Sequence, residues 1–112
     1  MMDTSNKHTA NSFNTLKMYA KGIIDEYNIG VESRGSLFTY DNAPKMLVDI
    51  ESKTDRKDVK AIIDSLQFNR NNPPNLAQGL NEIIQQLNKR QNLFKDRPVN
   101  VLILAKGRLN TY

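Results

Sequence analysis

The chain has 112 residues, 38% of them hydrophobic and 25% charged, which allows one small domain and argues against disorder. It has no cysteine and a single histidine, His8, so disulfides, thiolate metal sites, cysteine nucleophiles and His-pair zinc sites are excluded. Residues 1–80 carry ten Lys/Arg and ten Asp/Glu, whereas residues 81–112 carry six and two, so the net +4 sits entirely in the last third.

Residues 11–27 predict a helix. Phe13, Leu16, Ala20, Ile23, Ile24 and Tyr27 recur at three- and four-residue spacing and form one apolar stripe. Asn11 or Ser12 can cap its start, and Gly30 marks the stop zone after Asn28. Residues 34–40 predict a strand, Asp41-Asn42-Ala43-Pro44 a turn, and residues 46–50 a second short strand, together a hairpin. Residues 55–66 predict a second helix with Thr54 as N-cap and Val59, Ile62, Ile63 and Leu66 on its apolar face. Pro73 and Pro74 make residues 69–75 an irregular loop.

Residues 76–94 predict a third helix, capped by Asn75 and carrying Leu76, Leu80, Ile83, Ile84 and Leu87 on one face. Pro98 bars its continuation. Residues 99–105 then predict a strand apolar on both faces, the kind that belongs inside a parallel sheet covered on both sides; Gly107 follows as a turn residue. The longest apolar run, residues 101–105, is far too short to span a bilayer. Met1-Met2 lead straight into Asp3 with no basic n-region or apolar h-region, so no secretory signal is expected. Helix, strand, strand, helix, helix, strand is the order of an α/β layered sheet.

These segments resemble a known family, the von Willebrand factor type A domain, also called the integrin I domain. Met2-Asp3-Thr4-Ser5-Asn6-Lys7, followed by Ser12-Phe13 and an amphipathic helix, is similar to the family's DxSxS loop and first helix. Arg34-Gly35-Ser36-Leu37-Phe38-Thr39-Tyr40 is similar to its second strand, and the stretch 66–80 to the loop and helix that normally carry a metal-binding threonine. Val101-Leu102-Ile103-Leu104-Ala105-Lys106-Gly107-Arg108 is similar to its apolar strand ending in T-D-G. The resemblance implies a three-layer, doubly wound, Rossmann-like α/β sheet. Residues 1–112 would form a single partial domain, incomplete at both ends, because only two methionines stand where the central first strand should precede Asp3.

The resemblance also implies a non-enzymatic module that binds a matrix or cell-surface protein in cell adhesion or matrix assembly, extracellular or at the cell surface, with the remainder of a larger chain as a further partner. Such a domain holds a divalent cation at the carboxyl end of the sheet. Asp3 and Ser5 match two of the ligand positions, but Lys7, Pro74 and Lys106 stand at the other three. Mg²⁺ wants about six oxygen ligands, so the site reads as degenerate and no cofactor is expected. Lys106 could pair with Asp3 in the cation's place. An alternative is an adhesion domain that still binds Mg²⁺ or another divalent cation weakly.

A second alternative is a basic polyanion or nucleic-acid binder using Lys89, Arg90, Lys95, Arg97, Lys106 and Arg108. Base-stacking aromatics are not interleaved with these charges, which argues against nucleic acid and for a solvated lysine-rich face. Catalytic readings are poor. Asp25-Glu26 cannot face each other on a helix, Asp49 and Glu51 read as surface groups, and Ser5 near His8 has no acidic orienter at a telling spacing.

The predicted strand 101–105 should be the most buried of the chain, yet it lacks a usual neighbour. Three arrangements would follow: direct pairing with residues 34–40, a strand from a second chain, or a poorly folded chain with an open apolar edge. The last is expected for the isolated protein, with a gap or an exposed apolar strand in the sheet.

Overall fold

The computed structural model of the protein describes residues 1–29, 34–52, 55–94 and 99–105. Helix α1 spans Ala10–Glu26 and buries Phe13, Leu16, Ala20 and Ile24, four members of the predicted stripe. Its cap is Thr9 rather than Asn11 or Ser12. The Thr9 hydroxyl accepts from Ser12 N–H, and Ser12 Oγ accepts from Thr9 N–H, a reciprocal capping box. At the far end Asn28 takes a positive φ of 50°, the left-handed turn that Asn tolerates. Gly30 lies outside the described residues.

Strand β1 is Met2–Asp3, β2 is Leu37–Tyr40 and β3 is Pro44–Val48, in the order β1-β2-β3. β1 runs parallel to β2, with Met2 opposite Thr39 and Asp3 opposite Tyr40. The β2–β3 hairpin is antiparallel. Its register slips between Leu37, which faces Val48, and Phe38, which faces Met46, so Leu47 bulges out. On the other side of β1, Met2 forms a parallel bridge to Leu104. In the place expected for the central first strand, between β2 and Leu104, stand the two residues Met2–Asp3, consistent with an incomplete domain. Residues 34–40 therefore do not pair directly with residues 99–105, because β1 lies between them. Two residues suffice because β1 is paired on both sides, and two residues are too few to show a periodicity in the sequence.

The predicted strand 99–105 also differs from expectation. Of its residues, only Leu104 forms a bridge, and Val99, Val101, Leu102 and Ile103 are 40–43% exposed, so it is not the most buried strand. The expected exposed apolar segment at the sheet edge is present.

Helix α2, Arg56–Ser65, is capped by Asp55, whose carboxylate accepts Asp58 N–H; Thr54 lies outside the described residues. Helix α3, Leu76–Lys89, is capped by Asn75 through Gln78 N–H. The third helix stops short of residue 94. Arg90 leaves helical geometry at φ −118°, ψ 28°, and Gln91–Phe94 form a separate turn, α4.

Alternation along β2 divides the core. Leu37 joins Val48, Met2, Phe13, Leu16, Val59 and Ile63 in one apolar cluster, which places α1 and α2 on that face. Tyr40 faces the other way, where its Cβ lies 3.4 Å from the position a Cβ on Gly79 of α3 would take. The result is a three-layer α/β arrangement. Lys60 and Arg56 of α2 reach Asp25 of α1 at 2.6 and 3.4 Å, and Lys21 reaches Asp64 at 2.7 Å. These pairs are exposed, so they orient the helices more than they stabilise the fold.

Candidate functional site

In open α/β sheets, ligands sit beyond the carboxyl ends of the strands. Here that end is built by three connections: residues 4–9 after β1, residues 41–43 after β2, and residues 66–75 between α2 and α3.

The first connection is closed by its own side chains. Asp3 and Ser5 are 1% and 0% exposed. Asp3 Oδ1 accepts Ser5 N–H at 2.8 Å, and Ser5 Oγ accepts Lys7 N–H at 3.3 Å. His8 is buried beneath the turn. Its Nε2 lies 2.7 Å from the carbonyl oxygen of Asp3, an atom that can only accept, so Nε2 carries a hydrogen. Nδ1 meets Ser12 Oγ at 3.1 Å. The ring also packs edge-on against Phe13 at 5.1 Å and tilted against Phe68 at 6.1 Å. Nε2 is 3.9 Å from Asp3 Oδ1, so the ring faces the carboxylate as well as the backbone. The Tyr40 phenol is pushed well above its ordinary value, first by burial and then by the charge of Asp3.

Asp41 joins the other two connections. Its Oδ1 accepts Ala43 N–H at 3.1 Å, and its Oδ2 accepts the side-chain amides of Asn72 and Asn69 at 3.2 and 3.3 Å. Burial pushes the Asp41 carboxyl up, but these hydrogen bonds outweigh it and hold it below its ordinary 3.8. Backbone bonds complete the platform. Asn75 N–H reaches Asp41 O at 2.7 Å, Asn69 N–H reaches Thr4 O at 2.7 Å, and Asn6 N–H reaches Asn72 O at 2.8 Å. A cleft of about 350 Å³ opens beside it, lined by Thr4, Thr39, Asp41, Lys45, Phe68 and Asn69 among others.

A family model for the von Willebrand factor type A domain matches residues 1–111. The chain belongs to the von Willebrand factor type A family. Domains of this family are in general protein–protein interaction modules, typically without enzymatic activity. No curated protein and no solved structure matches the chain. Among the described residues, no helix is long and apolar enough to cross a membrane.

Within this von Willebrand A domain, Asp3 and Ser5 lie together at the end of β1. Lys7 is exposed on the same turn, and Pro74 is half-buried in the connection that leads into α3. Lys106 lies outside the described residues, as do Lys95, Arg97 and Arg108. Among the described residues, the His8 imidazole lies near the Asp3 carboxylate, with Nε2 3.9 Å from Oδ1. Lys89 is exposed at the end of α3. Arg90 has its guanidinium on Asp49 at 2.8 Å and Glu51 at 3.3 Å, and it also donates to Gln86. Its charge is thus already matched by two carboxylates. Ser5 Oγ is not what the His8 ring nitrogens bond, so the Ser5–His8 pair is not arranged as nucleophile and base.

Two residues that organise this end escaped the sequence reading. His8 carried a signal in Ser12 four residues after it, a partner within one turn. Asp41 carried one in its place at the head of a turn, with an asparagine-rich loop to bond.

Proposed function

We propose that this von Willebrand A domain is a non-enzymatic binding module for a matrix or cell-surface protein, engaging its partner without a bound divalent cation. Family membership supports the interaction role. The observation that carries the cation-independent part is the burial of Asp3 and Ser5, with Asp3 Oδ1 and Ser5 Oγ spent on backbone N–H groups of their own turn. One carboxylate and one hydroxyl do not fit a hard dication that wants about six oxygens. Pro74 supplies no side-chain oxygen. Lys7 and Arg70 are exposed near this end of the sheet, so the partner group attracted here is acidic.

The test is binding of the chain to immobilised collagen, fibronectin and laminin, in Mg²⁺ and again in excess EDTA. Saturable binding to at least one of them, unchanged by EDTA and weakened by Lys7→Glu, is expected. Binding abolished by EDTA and restored by Mg²⁺ would overturn the cation-independent reading. Absence of binding to all three would overturn the matrix role.

A further inference from the structure

The cleft beside Asp41 arises where helix α2 stops. The helix ends at Ser65, and Leu66, at φ −66° and ψ 143°, takes the chain out of helical geometry. Asn69 then ties the chain to Thr4 O and to the Asp41 carboxylate. Between residues 66–69 and the β2–β3 hairpin lies a space of about 350 Å³, the size of a small-ligand site. Every residue lining it is among the described ones.

Thr39 supplies the polar wall. It lies in β2, with Met2 opposite it on one side and Lys45 on the other, and is 6% exposed. Among the described residues its hydroxyl has no hydrogen-bond partner, whereas no fully buried side-chain nitrogen or oxygen is left unpaired. The hydroxyl therefore stays open to solvent, and the cleft that Thr39 lines is its opening. Lys45 leaves the same face of the sheet, its Cβ about 5 Å from that of its cross-strand partner. Lys45 and Gln67 also line the cleft, and among the described residues neither side chain has an ion pair or hydrogen bond. Leu47, Leu66 and Phe68 make the apolar wall.

We propose that this cleft binds a monocarboxylate on an apolar body, either a free acid or the apolar C-terminal residue of a peptide. The groups left without partners are an ammonium, a hydroxyl and an amide, donors for the two oxygens of one carboxylate. Charge limits the ligand to one negative group. Lys45 is the one cation lining the cleft, and the second charge of a phosphate would face Asp41 with nothing to offset it. The apolar body displaces water from Leu47, Leu66 and Phe68. This site and the protein-binding role stand or fall separately, since neither assay reads the other.

The probe is hydrocinnamate, a phenyl ring on a short aliphatic acid, titrated into the 112-residue chain and followed by backbone amide shifts in heteronuclear NMR. Saturable shifts around Thr39, Lys45 and Gln67 are expected. Lys45→Met and Thr39→Val should each weaken binding about tenfold, because each removes a hydrogen bond to a charged group. Lys57→Gln, at the other end of α2, should leave binding unchanged. Hydrocinnamide, which lacks the charge, and acetate, which lacks the apolar body, should bind about tenfold or more weakly. Thr39→Val should keep the Tm of the parent, since the hydroxyl has no partner to lose. If it unfolds instead, Lys45→Met, at an exposed position, carries the comparison.

Acetyl-Gly-Phe separates the two sources: its binding supports a peptide end, and its failure beside bound hydrocinnamate supports a free acid. Three results would overturn the proposal: no saturable shift with either probe, equal binding of hydrocinnamide, or equal weakening by Lys57→Gln and Lys45→Met.

Discussion

Replacing His8 with alanine should destabilise the fold strongly, although the side chain lies at the end of the sheet and not in its main apolar cluster. The ring is buried, donates from Nε2 to Asp3 O at 2.7 Å and meets Ser12 Oγ at 3.1 Å. Withdrawing the donor from a buried carbonyl costs about 1–3 kcal/mol. The lost ring contacts with Phe13 and Phe68, at 5.1 and 6.1 Å, add about 0.5–1.5 kcal/mol each. The sum is about 2–6 kcal/mol, or a fall in Tm of about 8–24 °C for a chain of this size. His8→Gln places an amide N–H near the position of Nε2 and should recover the hydrogen-bond share but not the ring contacts. Urea unfolding of the three proteins, read by circular dichroism, measures both steps. An alanine variant within about 0.5 kcal/mol of the parent would refute the reasoning. A glutamine variant no better than alanine would refute its hydrogen-bond part.

Asp41→Asn should lower stability by about 1–3 kcal/mol at neutral pH, because the charged acceptor of three hydrogen bonds is lost. The folded-state pKa of Asp41 lies below the ordinary 3.8, so its contribution is complete above that value and disappears as pH falls through the folded value. The gap between parent and variant should therefore be constant above about pH 5 and close below about pH 4, as read from unfolding curves across that range. Ile63, at 0% exposure, should cost about 2–5 kcal/mol when cut to alanine and about 0.5–1.5 when cut to valine, measured by the same unfolding assay. Arg90→Ala should cost about 1 kcal/mol by releasing Asp49 and Glu51, and the loss should shrink in high salt.

Where the sequence repeats a period over many residues, the fold was legible. The stripes of α1, α2 and α3 and the hairpin around Asp41 to Pro44 lie within a few residues of their predicted places. Where a feature depends on contacts from distant parts of the chain, it was not. β1 has two residues and exists because β2 and Leu104 pair with it from opposite sides. Arg90 ends α3 early, and its guanidinium lies on carboxylates some forty residues back in the chain. Segment 99–105 has the composition of a central strand, but Val99, Val101, Leu102 and Ile103 are exposed, and burial of a face depends on what packs over it rather than on the segment's own composition. At the site, the resemblance pointed to the turn that follows β1, where the structure brings Asp3 and Ser5 together. That His8 packs beneath this turn, with Nε2 on Asp3 O, depends on Phe13 and Phe68 around the ring, and the spacing of Asp3, Ser5 and Lys7 does not carry that information.

The most direct test of the central claim is a calorimetric titration of the chain with Mg²⁺ near neutral pH, run alongside Asp3→Ala and the triple variant Lys7→Ser, Pro74→Thr, Lys106→Asp. The account requires no saturable heat from the parent at millimolar Mg²⁺, and a saturable heat from the triple variant once the three oxygen donors are restored. A saturable heat from the parent, abolished by Asp3→Ala, would contradict it.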